Sequence, residues 1–253
     1  MNSSRDTHQD GESMRIAKLM ARRGMCSRRE AEKLIAEGWV FLDGEKVETP
    51  ATRVAVHSEI TLDPKAKKWL NEAVTILFNK PVGIVSGQAE DGYTAAIEVL
   101  SRENHFRPRP DIPLLQPCHL QGLAPAGRLD IDSHGLLVLT QDGRIAKELI
   151  GQHSTIDKEY LVRVSGDITK RALRLLNHGL QLDRQALRPA KVKILEPGLL
   201  HFVLREGKKR QIRRMCALVG LEVTNLKRVR IGKVRLDALP YGQWRFLDRD
   251  ESF

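Results

Sequence analysis

Cysteine is scarce in this chain and badly placed for pairing. Cys26, Cys118 and Cys216 are odd in number, far apart and free of any C-x-x-C spacing, so neither a disulfide framework nor a zinc cluster is indicated. Three reduced thiols are expected. Aromatic residues make up only 5% of the 253, which argues against a broad platform for stacking single-stranded bases. No apolar run approaches the roughly 18 to 20 residues needed to span a bilayer, and the polar start of the chain has no h-region of a secretory signal. A soluble, cytoplasmic, monomeric protein without a membrane partner is the expectation. The 19 glycines and 11 prolines are too few for a collagen-like or low-complexity chain. There is also no G-x-G-x-x-G and no long βαβ rhythm, so a doubly wound nucleotide fold is not expected.

Negative charge is in deficit, and the imbalance is local. The formal net charge is +10. Residues 205–235 hold eleven Lys and Arg against Glu206 and Glu222 alone, and residues 15–46 hold eight against five acids. A solvated basic face is the ordinary reading of such a run. Like charges packed this closely nevertheless repel unless something neutralises them, which favours a polyanion, and nucleic acid over a membrane surface.

Residues 1–13 are polar and aperiodic and read as a disordered tail. From Met14, the residues Ile16, Leu19 and Met20 follow helical spacing, and Gly24 ends that helix. Ser27 and Glu30 form a capping box for a second helix through Ala31, Leu34 and Ile35, which stops at Gly38. A short strand, an Asp43-Gly44 turn and a returning strand through Val47 make a hairpin. Arg28 and Arg29 lie in the first turn of the second helix, where the macrodipole disfavours cations, and a docked phosphate would compensate them. Residues 15–47 resemble an S4 domain, a small RNA-binding module. The resemblance implies RNA contacts by Arg15, Lys18, Arg22, Arg23, Arg28 and Arg29. It specifies a ligand class and not a reaction.

A charged, aperiodic linker is expected over 63–72. Beyond it short strands (75–78, 136–140, 160–164, 192–195, 201–204) alternate with short helices (95–100, 144–150, 170–176, 211–219). This pattern predicts an α+β fold with a mixed, mainly antiparallel sheet. Residues 101–125, rich in proline, read as an extended loop. The expected domains are thus 14–62 and 73–253.

Three constellations carry possible chemistry. In Gly127-Arg128-Leu129-Asp130, the Arg and Asp taken alone are compatible with a surface ion pair, and the spacing of Asp130, Asp132 and His134 makes a poor metal site. In Lys158-Glu159-Tyr160 the tyrosine opens a strand, where a core aromatic is the usual finding. In Lys208-Lys209-Arg210-Gln211-Ile212-Arg213-Arg214-Met215, cations again crowd a helix start against the dipole.

Together with Asn79-Lys80-Pro81, these motifs in this order behind an S4 domain resemble the RNA pseudouridine synthases of the RsuA/RluB/RluE/RluF branch. The resemblance implies isomerisation of uridine to pseudouridine in ribosomal RNA, free or in pre-ribosomal particles, with no cofactor and no metal. Asp130 stands at the catalytic aspartate, and Arg128 at the arginine that holds the target nucleotide out of the RNA. Tyr160 stands beside the uracil and Arg213 at the basic residue that pairs with the aspartate. Lys80, Lys208, Lys209, Arg210 and Arg214 are expected to bind RNA, and Leu129, Leu136 and Ile212 to close an apolar pocket. A large-subunit target is favoured. The alternatives are a small-subunit target and a non-catalytic S4-type ribosome-assembly factor. An S4-linked methyltransferase would need a glycine-rich strand-turn-helix that is absent here.

Overall fold

Caps and turns place the first elements of the chain. The computed structural model describes residues 13–89, 92–107 and 110–253. They divide into two units, one ending at Ala73 and including Asp142–Arg144, the other formed by Val74–Gln141 and Ile145–Phe253. The tail expected over 1–13 lies outside the described residues except for Ser13.

The first unit begins with β1 (Ser13–Arg15), α1 (Ile16–Arg22) and α2 (Arg28–Ala36). Ser27 Oγ accepts from Glu30 N at 3.2 Å and Glu30 Oε2 accepts from Ser27 N, so the capping box is complete. Then come β2 (Val40–Leu42), β3 (Glu45–Lys46), β4 (Arg53–Ala55) and β5 (Ile60–Leu62). Strands β3, β2 and β5 form one small sheet, and β1 pairs with β4. The expected linker is instead helix α3 (Pro64–Asn71). Its N-cap Asp63 accepts from Lys65 N at 2.8 Å, Pro64 occupies the first turn, and Ala66 and Leu70 are buried in the core of the first unit. Two apolar positions four apart suffice once a neighbouring core receives them, and charge on the other face hid the period.

The second unit opens with β6 (Thr75–Lys80). The helix expected over 95–100 is only a 3-10 turn, Ala96–Val99. The expected loop 101–125 contains α4 (Pro117–Leu120) and β7 (Ala124–Pro125), and it buries Ile112, Leu115 and Leu123. Next are β8 (His134–Thr140), α5 (Gly143–Ile150), β9 (Lys158–Ser165), α6 (Lys170–Asn177), the small hairpin β10 (Gln181–Leu182) and β11 (Gln185–Ala186), β12 (Lys191–Glu196) and β13 (Leu199–Leu204). The chain continues through α7 (Gln211–Leu218), β14 (Glu222–Ile231), β15 (Val234–Arg235) and β16 (Trp244–Phe246).

The main sheet runs β12-β13-β9-β14-β8-β6-β16, with β7 on β8 and β15 on β14. The β14–β8 pair is parallel and the other described pairs are antiparallel. Strand β14, central and ten residues long, is absent from the sequence expectation. Register shifts at Val223/Asn225 and Arg228/Arg230 break its alternation, and its basic residues mask the apolar ones. One sheet face packs Ile76, Phe78, Leu137, Leu139, Val162 and Phe202 against Ile212, Met215 and Cys216 of α7. The other face packs Leu77, Leu136 and Val138 against Leu149 of α5.

Candidate active site

At one end of the first face, a single cross-strand row runs Lys80, Gly135, Arg228, Tyr160 and Phe202, over β6, β8, β14, β9 and β13. Directly paired residues project to the same side of a sheet, so two cations and a tyrosine share the rim of an apolar face. Gly135 (φ +102°) has no alternative there, since a Cβ would meet the Arg228 carbonyl oxygen at 2.3 Å.

The segment Arg128 to Asp132 precedes this row, and every one of its backbone carbonyls is held. Arg128 O accepts from Arg228 Nη1 at 3.3 Å and Leu129 O from Ser86 Oγ at 2.7 Å. Asp130 O accepts from Ser133 N at 3.0 Å, Ile131 O from Gly83 N at 2.8 Å and Asp132 O from Arg213 Nη2 at 2.7 Å. Leu129 N also donates back to Ser86 Oγ at 2.9 Å. A loop whose carbonyls are tied to β14, α7, the residues after β6 and its own turn presents its side chains in a defined direction.

The two carboxylates of this loop differ. Asp132 takes a bidentate pair from Arg210, Nη1 to Oδ1 at 3.0 Å and Nη2 to Oδ2 at 2.8 Å, and Arg213 Nε lies 3.3 Å from its Oδ2. Burial pushes the Asp132 carboxyl up, but the Arg210 hydrogen bonds and the Arg213 charge outweigh this and hold it below the usual carboxylate range. The Asp130 carboxylate has no hydrogen bond or ion pair among the described residues. Arg128 is exposed and does not pair with it.

Several expectations change at this point. Arg213 pairs with Asp132 and not with Asp130, because its guanidinium lies among Asp132 O, Ser133 Oγ and Val223 O. Lys80 is 0% exposed and donates through Nζ to Pro81 O and Ile84 O, both at 2.7 Å, so it braces a loop and does not reach RNA. Burial pushes its ammonium down to about 8; Arg228 adds to the push, and Asp130 and Asp132 oppose it. Leu136 faces α5 on the opposite side of the sheet from Leu129 and Ile212, so these three do not line one pocket. Strand alternation sends adjacent residues to opposite faces.

The remaining expected residues fall into two groups. Tyr160 (8% exposed) and Ile212 are buried in the core beneath the site. Lys209 is exposed, Lys208 Nζ donates to Gln185 Oε1 at 3.0 Å, and Arg214 holds Asp183 in a bidentate pair. Arg210 adopts a left-handed backbone (φ +50°) as the N-cap of α7, a strained position for a residue with a Cβ. In the first unit Arg15, Lys18, Arg22, Arg23, Arg28 and Arg29 are all exposed, and Arg23 also braces Val56 O and Ser58 O at 2.7 and 2.8 Å. Ser86 and Arg228 escaped the sequence reading. A lone serine after a loop carries no signal, and Arg228 is hidden in a basic run.

Comparison with known proteins adds two matches along the chain. The S4 domain model matches residues 14–60, and the RNA pseudouridylate synthase model matches residues 74–218. The chain belongs to the RNA pseudouridylate synthase family. This synthase is 36% identical over 244 residues to the dual-specificity RNA pseudouridine synthase RluF of Escherichia coli K12, covering 94% of this chain and 77% of that one. It is 34% identical over 243 residues to the ribosomal large subunit pseudouridine synthase B of Bacillus subtilis, covering 94% and 93%. A crystal structure of a pseudouridylate synthase superposes with a TM-score of 0.63 at 27% identity, covering 93% of this synthase and 96% of its own chain. The synthase is an enzyme that acts on RNA, and the S4 match assigns an RNA-binding module to its N-terminal region. No helix among the described residues is long and apolar enough to cross a membrane.

Proposed function

We propose that the enzyme converts uridine to pseudouridine in ribosomal RNA of the large subunit, with Asp130 as its catalytic residue. The observation that carries this is the difference between the two loop carboxylates. Asp132 is held by Arg210 and Arg213, whereas Asp130 projects from a backbone tied at every carbonyl and keeps its own oxygens free. A nucleophile or base must be unengaged and fixed in place. Of the two, Asp130 meets those conditions.

The reaction breaks the C1′–N1 bond of uridine, forms C1′–C5 and moves the C5 proton. Substrate and product are isomers, so no redox partner or co-reactant enters the balance. A uridine stacked in RNA must first be turned out, at a cost of a few kcal/mol. Exposed Arg128, two residues before Asp130, is placed to take a phosphate and offset that cost. Tyr160 and Ile212 form the apolar floor against which a detached uracil rests. Arg213 anchors the turn beside Asp130. The exposed cations of α1 and α2, with Lys209, contact phosphates elsewhere on the RNA. The large-subunit target is supported by the name of the Bacillus subtilis relative, and this reading has the enzyme act in the cytoplasm as a monomer.

The test is pseudouridine mapping in ribosomal RNA from a strain lacking this protein, complemented with the wild type, Asp130→Asn or Asp132→Asn. One site in large-subunit RNA should vanish and return with the wild type. It should stay absent with Asp130→Asn and be partly restored by Asp132→Asn. A missing site in small-subunit RNA would reassign the target, and full restoration by Asp130→Asn would remove that residue from the chemistry.

A further inference from the structure

We propose that Arg228 is a positioning residue for Asp130, acting through a forked clamp on the loop that carries it. The inference rests on the reading of Asp130 given above and goes beyond it. Arg228 is 2% exposed, on the central strand β14. Its Nε donates to Leu136 O at 2.7 Å and its Nη1 to Arg128 O at 3.3 Å. One planar guanidinium thus joins the strand that follows the loop to the residue two before Asp130. A second clamp, from Ser86, closes on both peptide groups of Leu129, the residue between. With no side-chain partner of its own, Asp130 takes its position from these backbone ties.

Two further features separate Arg228 from an ordinary structural arginine. Its Nη2 is buried without a partner, and no carboxylate pairs with it among the described residues. A buried, unpaired cation is costly, by several kcal/mol in apolar surroundings. Lys80 and Lys158 sit in the same region and are likewise buried, and burial with the Arg228 charge pushes both ammonium groups down to about 8. A strand selected for stability alone would carry an apolar residue at 228, as β14 does at Leu226. Lysine cannot replace the arginine, because a single ammonium on a flexible stem does not span two carbonyls with fixed geometry.

The experiment compares Arg228→Lys, Arg228→Met, Ser86→Ala and Asp130→Asn as full-length proteins on an unmodified large-subunit RNA transcript. Single-turnover rates are measured at saturating enzyme, with RNA affinity and melting temperature measured separately. Both Arg228 variants should bind RNA within a few-fold of wild type yet react about 100-fold more slowly, the loss expected for displacing a reacting group by about 1 Å. Ser86→Ala should move the same way by a smaller factor. If Asp130→Asn is inactive while the Arg228 variants react at the wild-type rate, the positioning role is wrong and the Asp130 reading stands. A wild-type rate with Lys but not with Met would replace the fork by charge alone and overturn the clamp. Turnover by Asp130→Asn would instead remove the reading on which the inference rests. Should Arg228→Met fail to fold, Arg228→Lys and Ser86→Ala decide the matter.

Discussion

Arg213 Nε lies 3.3 Å from Asp132 Oδ2, and Arg213 Nη2 donates to the Asp132 backbone carbonyl at 2.7 Å. The arginine thereby fastens the start of α7 to the turn that follows Asp130, and a third contact, Nη1 to Val223 O at 3.0 Å, ties in β14. A residue so engaged holds the turn, whereas Lys209 nearby is exposed.

Replacing Arg213 by Ala should therefore slow single-turnover reaction by about 100-fold, as misplacement of a reacting group does, with RNA affinity changed only a few-fold. Lys209→Ala should leave the saturated rate intact, weaken binding and lower the salt dependence by about one unit of slope. Rates at saturating enzyme and binding over a salt series separate the two effects. The assignments are reversed if Lys209→Ala is the slow one.

The Asp132 cluster should also leave a mark in acid. Its carboxyl is held below the usual value, so the stabilisation it provides is present above the unfolded value of 3.8 and lost as pH falls through the folded one. Because the side chain is 40% exposed, the net effect should stay under about 1 kcal/mol. Urea denaturation of wild type and Asp132→Asn should show a stability difference at pH 7 that shrinks below pH 4. A difference that persists unchanged at pH 3 would show that the ion pair contributes nothing measurable.

Lys80 acts in the alkaline range. Its ammonium is pushed down from 10.5 to about 8, so between those values the unfolded chain binds more protons than the folded one, and stability rises with pH. The buried thiols of Cys26 and Cys216, both raised to about 12, oppose this above pH 9. Comparing wild type with Lys80→Met cancels them. Relative to the variant, wild-type stability should climb by up to roughly 2 kcal/mol from pH 8 to pH 10. A flat difference across that window would mean that Lys80 stays charged in the fold.

Deleting residues 1–73 should leave a folded catalytic unit with poor turnover. Both apolar clusters of the second unit draw only on residues from 74 onward, while the first unit's core draws only on residues up to 70. Units with separate cores fold separately. The truncated enzyme should melt cooperatively and show a kcat/KM at physiological salt reduced at least about tenfold, since a tethered RNA-binding module raises the effective concentration of substrate. Equal kcat/KM would deny the N-terminal module an anchoring role.

Much of this protein is written locally in its sequence. The Ser27–Glu30 box, the Asp43-Gly44 turn and the 3.6-residue spacing of Ile212, Met215 and Cys216 each depend on neighbours a few positions away. Elements governed by such short-range rules were legible, as were the motif residues around Asp130, Tyr160 and Arg213. Helix α3 was not, because Ala66 and Leu70 gain meaning only against the core that receives them. Strand β14 was not, because two register shifts destroy its period of two.

The sequence alone determined the ligand class, the order of the two modules and the short list of residues around the site. Only the tertiary structure decided which carboxylate is free. Asp130 and Asp132 are chemically alike and two residues apart, and what distinguishes them arrives from residue 210 onward. Arg210 and Arg213 come from α7 to hold Asp132, while Arg228 comes from a central strand to fix the backbone before Asp130. Lys80, basic and next to a proline, reads as an RNA contact until the sheet buries it. Pairings across 78 to 100 positions of chain depend on how the sheet is assembled, and no local spacing encodes them.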